Sequence, residues 1–169
     1  MIELKRVCPE CCADTLLVEL VLQRGKPAHY NGITEAIDAV IKHKTNSFTI
    51  GLVDTDKFRR EPPQMARFSE VVEDRLQDQG LVVVKMPDTN KHLIRLHPKF
   101  EHWIWKLADE CAISPKDYQF DSIKALENAT KTQQVFENKV FRKFVNEVIK
   151  CNPPAIQTLG IWLGKVFEY

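Results

Sequence analysis

Several features are missing from this chain of 169 residues, and each absence removes a class of protein. No apolar run approaches the ~20 residues that a helix needs to cross a bilayer, so the sequence offers no membrane span. The N-terminal stretch MIELKRVCPE lacks the apolar core of a signal peptide, and the chain reads as cytoplasmic. Basic and acidic side chains nearly cancel, 24 against 23. No global positive charge therefore argues for nucleic-acid binding, and any such surface must be local. Neither a P-loop nor a GxGxxG turn occurs, which leaves nucleotide binding by those routes unsupported. The histidines (His29, His43, His92, His97 and His102) form no HExxH pair, and only His97, just before Pro98, falls near an expected crevice. There is no internal repeat and no low-complexity segment.

What is present fits a globular domain: 44% hydrophobic and 28% charged residues, in a chain long enough for a sizeable core. Five cysteines, an odd number, read as free thiols in a reducing compartment. Cys8 and Cys11 have the spacing of half a zinc site or of a redox pair, but no second pair follows at finger or ribbon spacing. Cys12 and Cys111 read as small apolar packing residues.

Along the chain, MIELKRV has strand character, and CADTLLVELVLQ is apolar on nearly every face, as in a helix packed on both sides. A short strand is expected over residues 28–30. Ile33, Ala36, Ile37, Val40 and Ile41 then mark an amphipathic helix with Asn31 as its N-cap. SFTIGLV reads as a buried strand. PPQMARFSEVVEDRLQDQG reads as a helix opened by proline and closed by Gly80, with Phe68, Val72 and Leu76 on its stripe. LVVVKM and HLIRL read as further strands, and from Pro98 onward the pattern is helical. The expected architecture is α/β, a mostly parallel sheet flanked by helices. Residues 1–112 would form that domain, and residues 113–169 a helical extension packed on it.

Two acidic stretches fall directly after apolar strands. Glu10 follows the first, and Asp54 and Asp56 follow TIGLV. In an open parallel sheet, ligands bind beyond the C-terminal strand ends, so neighbouring strands would bring three carboxylates into one crevice. Such an oxygen-rich site suits a hard cation, and without one the like charges push at least one pKa upward. A DxD alone is equally a turn signature, because Asp bonds to nearby backbone amides. Lys57, Arg59 and Arg60, just past the aspartates, are placed to hold phosphate oxygens.

Glu10, Asp14, the GLVDTDK stretch and the later LHPKFEHWIW together resemble the TOPRIM domain of topoisomerases, primases and OLD-type nucleases. The closer likeness is to small stand-alone proteins of the RloB and OLD-nuclease group, over roughly residues 1 to 112. In the last motif Pro98, Phe100, Glu101 and Trp103 fall in step. Cys11 stands where that family usually has glycine. The resemblance implies Mg²⁺ or Mn²⁺ held by Glu10, Asp54 and Asp56, with Glu10 as ligand or general acid/base, and metal-dependent attack on a nucleic-acid phosphodiester. Glu101 would join the same crevice, or serve as a carboxylate favoured at a helix N-terminus. The rival expectation is a non-catalytic interaction module that keeps the fold and binds a partner protein.

Overall fold

The computed structural model describes residues 3–44, 46–55, 60–131 and 133–168. The first stretch is not a strand throughout: a 3₁₀ turn, Glu3–Arg6, leads into a short strand β1, Val7–Pro9. Helix α1, Cys12–Leu22, follows, with residues 12–18 all buried, as the all-round apolar pattern predicted. Residues 28–30 form no strand. Helix α2, Ile33–Lys42, is capped by Gly32 rather than Asn31; the Asn31 amide instead donates to the Glu35 carboxylate. Strand β2, Thr49–Asp54, is the buried strand expected of SFTIGLV.

The segment expected to be one long helix divides instead into three elements. These are a 3₁₀ turn Pro63–Arg67, a strand β3 (Glu70–Arg75) and a four-residue helix α3, Leu76–Gln79. Gly80 closes that short helix in the left-handed region at φ 65°, and a Cβ there would lie 3.0 Å from the His97 carbonyl oxygen. Strands β4, Leu81–Lys85, and β5, Lys91–Leu96, come next.

The five strands form one sheet in the order β1-β2-β5-β4-β3. β1, β2 and β5 run parallel, but β4 is antiparallel to β5 and β3 is antiparallel to β4. The sheet is therefore mixed, not mostly parallel. The reason lies in the connections: a parallel crossover needs a dozen or more residues, and β3–β4 and β4–β5 are joined by about five each, enough only for a reversal. Phe68, Val72 and Leu76 misled because a spacing of four also arises by chance in a short, charged edge strand. Glu70, Glu73, Asp74 and Arg75 and a bulge near Val72 are what such an edge carries.

From Phe100 the chain is helical, as expected: α4 (Phe100–Glu110), α5 (Ile123–Thr130), α6 (Lys139–Cys151) and α7 (Pro154–Gly164), joined by 3₁₀ turns. Strand alternation sorts side chains to two faces. Val7, Ile50, Leu52, Val83, Ile94 and Leu96 join Leu16 of α1, Trp103 of α4, Phe144 of α6 and Leu159 of α7 in one core. The residues after 112 thus share a core with those before it. On the other face α2 covers the sheet, with Ile37 and Val40 in one cluster with Val53 and Leu93, joined by Met65 and Phe68 from the 3₁₀ segment. Its close approach requires Gly51, where a Cβ would stand 2.6 Å from a Leu93 methyl and 3.2 Å from a Val40 methyl.

The cysteines depart from expectation. Cys8, Cys11 and Cys12 are free, but Cys111 and Cys151 form a disulfide with Cα atoms 6.2 Å apart. Forty residues separate the two in sequence, and only the side-by-side packing of α4 and α6 brings them together. Among the described residues no helix is long and apolar enough to cross a membrane.

Candidate functional site

The C-terminal ends of β1 and β2 open into a cleft of about 430 Å³. Glu10 and Asp54 line it from the sheet side, and Lys99 and Glu101 line it from the start of α4. Cys12, His29 and Tyr30 form another wall, and Thr130 and Lys131 close it from the end of α5.

Parallel pairing places Glu10 and Asp54 side by side, since Pro9 lies opposite Leu52. The Glu10 amide donates to the Leu52 carbonyl at 2.9 Å, and the Asp54 amide donates to Glu10 Oε2 at 2.9 Å. Asp54 in turn reaches the next element: its Oδ1 accepts the Phe100 amide at 2.9 Å. Phe100 opens α4, and the residue before it, Lys99, makes no side-chain cap. The Asp54 carboxylate therefore does the capping from a different strand, satisfying one of the orphan amides of the helix start and favoured by the dipole there. Glu101, in the same first turn, accepts the hydroxyl of Thr130. Both readings of Glu101 meet here, since it stands at a helix N-terminus and in the cleft.

A fourth carboxylate lies behind these. Asp14 is completely buried in the first turn of α1. Cys11 caps that helix through sulfur: Sγ accepts the Asp14 amide at 3.5 Å, and the thiol donates to Asp14 Oδ2 at 3.1 Å. Asp14 Oδ1 is buried with no hydrogen-bond partner. Cys11 thus has a definite local task at the start of α1.

Four acids this close must compete for their charge. Burial raises Asp14 well above the usual carboxylate range, and the charges of Asp54 and Glu10 add to it. Burial likewise raises Asp54, followed by Glu10 and Glu101, while the Phe100 amide and Lys99 pull the other way. Burial also raises Cys11, with Asp14 next in effect, so this thiol stays protonated and keeps its bond to Asp14. Lys99 forms an ion pair with Glu127, which divides its charge between the cleft and α5.

Of the expected site residues, Glu10, Asp54 and Glu101 come together. Asp56, Lys57 and Arg59 lie outside the described residues. Arg60 is exposed and does not line the cleft. His29, not His97, is the histidine in the cleft, with Nε2 3.5 Å from Cys12 Sγ. Of the two cysteines with C-x-x-C spacing, Cys8 is buried with its thiol toward the Tyr30 hydroxyl at 3.8 Å, and Cys11 faces Asp14. Asp14 was visible as an acid in the first turn of a helix leaving a strand. Thr130 and Lys131 had no signal, because the fold alone carries them to the cleft.

The carboxylates gathered here, one with an orphaned buried oxygen, suit a hard divalent cation. Among the described residues, however, no group of three or more His, Cys, Asp and Glu side chains is placed to hold one. Glu10 and Asp54 turn their carboxylates to backbone amides instead. Comparison with protein-family models, with curated proteins and with solved structures finds no match to this chain.

Proposed function

We propose that this is a TOPRIM-like domain that carries out Mg²⁺- or Mn²⁺-dependent phosphoryl transfer on nucleic acid, as a phosphodiesterase. The observation that carries the reading is the convergence of Glu10, Asp14, Asp54 and Glu101 at the C-terminal strand ends, with Asp14 and Asp54 raised by burial and mutual charge. Glu10, Asp54 and Asp56 would hold the cation, which would neutralise phosphate charge and activate the attacking oxygen. Glu10, which lines the cleft and accepts the Asp54 amide, would serve as ligand or general acid/base. Lys99 and Lys131 on the opposite wall would meet the substrate phosphates, together with Lys57, Arg59 and Arg60.

A second reading has its own support. The Glu10 and Asp54 carboxylates, each bonded to a backbone amide, favour a domain that keeps the acids as structural links and acts by binding a partner protein. Calorimetric titration with Mg²⁺ and Mn²⁺ separates the two, followed by cleavage assays on single- and double-stranded DNA and RNA. The enzyme reading expects metal-dependent cleavage that Asp54→Asn and Glu10→Gln abolish. A wild-type protein that neither binds the ions nor cuts any substrate would leave the interaction module standing.

A further inference from the structure

Helices α4 and α6 are joined at both ends. At their starts the rings of Phe100 and Phe141 pack with centroids 6.1 Å apart. At their ends, Cys111, the C-cap of α4, is bonded to Cys151, the last residue of α6. The two helices therefore run side by side in the same direction, aromatic contact at one end and covalent bond at the other. The start of α4 is also the wall of the carboxylate cleft, through the Phe100 amide on Asp54 and through Glu101.

The bond is also placed to react. Cys151 is exposed and Cys111 is partly exposed, so a small thiol can reach the sulfur of Cys151. Cys8 and Cys12 are buried and Cys11 is engaged with Asp14, so they do not compete for this exchange.

We infer that the Cys111–Cys151 bond is a thiol-exchangeable staple that fixes the register of α4, and with it the α4 wall of the carboxylate cleft. Its co-reactant is a low-molecular-weight thiol of the glutathione class. The thiolate attacks Cys151 Sγ and the Sγ–Sγ bond breaks. Cys111 leaves as a thiolate and takes a proton from water, and Cys151 is held as a mixed disulfide. A second thiolate attacks the small-molecule sulfur of that mixed disulfide and releases Cys151, which is protonated in turn. Two cysteine thiols are formed as two small thiols are oxidised to their disulfide, so electrons and protons balance. The small disulfide reverses the sequence. The inference stands on the packing of α4 and α6 and does not depend on the phosphodiesterase reading.

The test starts from the full chain purified without reductant. Alkylation in denaturant, read by intact mass, should label three thiols before reduction and five after. Equilibration in millimolar glutathione buffers of increasing reducing strength should convert the first species into the second. Closing a loop of 40 residues is worth enough that the reduced protein should melt roughly 10 °C lower. Cys111→Ser should melt like the reduced form and show no thiol dependence. Hydrogen exchange supplies the readout that a remote staple would leave alone: the Phe100 amide should exchange faster in the reduced protein and in Cys111→Ser. Five alkylated thiols before reduction would overturn the inference. So would a bond that glutathione leaves closed, or a Phe100 amide indifferent to its opening.

Discussion

Asp54 has two tasks that chemistry can separate, because it carries a charge and it supplies an acceptor. Asp54→Asn and Asp54→Ala both remove the charge, and only the asparagine keeps an oxygen for the Phe100 amide, now bonded at 2.9 Å. The difference between the two variants therefore isolates the cap. Removing a helix-capping acceptor costs about 0.5–2 kcal/mol. For a chain of this length each kcal/mol moves the melting temperature by about 2–4 °C, so Asp54→Ala should melt about 1–8 °C below Asp54→Asn. The comparison of wild type with Asp54→Asn isolates the charge. Burial and the Glu10 and Glu101 charges raise Asp54 in the fold, so the folded protein holds its proton to a higher pH than the unfolded chain does. That preference stabilises the fold fully below the ordinary carboxylate pKa and is lost as pH rises through the raised value. At pH 7.5 without divalent ions, Asp54→Asn should equal or exceed wild type in stability. Any margin should shrink as the buffer is taken towards pH 4. Thermal melts and urea titrations of the three proteins across that range decide the matter. Alanine and asparagine variants that melt together would show that Asp54 does not cap α4. An asparagine variant less stable than wild type at neutral pH would show that the acids are not in conflict.

Two further outcomes follow from the packing. His92 is buried, stacked on Phe48 at 4.6 Å and close to Trp162, and burial lowers its pKa from 6.5 to about 4. A depressed histidine contributes stability above pH 6.5 that is lost as pH falls towards 4, to an upper bound of about 3 kcal/mol. Urea titrations should show wild type losing stability relative to His92→Gln across that window. A constant difference between the two would reject the buried neutral imidazole. Gly51→Ala should cost about 1–3 kcal/mol, because the added methyl meets Leu93 and Val40. In a double-mutant cycle the same substitution should cost less in a Leu93→Ala background, read in the same urea assay.

The readable parts of the chain were those in which a local pattern and the final environment agree. β2 and α2 were visible because their apolar periods match the faces they bury, and α4 because its stripe ends in Trp103 and Leu107 of the core. Glu10 and Asp54 could be paired on paper because acids after parallel strands converge wherever those strands are neighbours. What escaped depended on partners far away in sequence. β3 has little to show of its own, with Val71 and Val72 exposed, and is a strand only because β4 pairs with it. The direction of β4 was written in the shortness of its connections rather than in its residues. Thr130, Lys131 and the Cys111–Cys151 pair reach their positions only after the helices have packed, which no spacing in the sequence announces.

The indole of Trp162, in α7, donates to the carboxylate of Glu73 in the edge strand β3, a link that spans 89 residues. Beyond its ladder with β4, that strand buries little of itself. During synthesis the β3–β4 reversal leaves the ribosome before α7 exists, and it waits as a charged, loosely held ribbon until Trp162 emerges. The edge of the sheet is therefore completed by α7. Its charges keep the unpinned ribbon from pairing with the nascent chains of neighbouring ribosomes in the meantime.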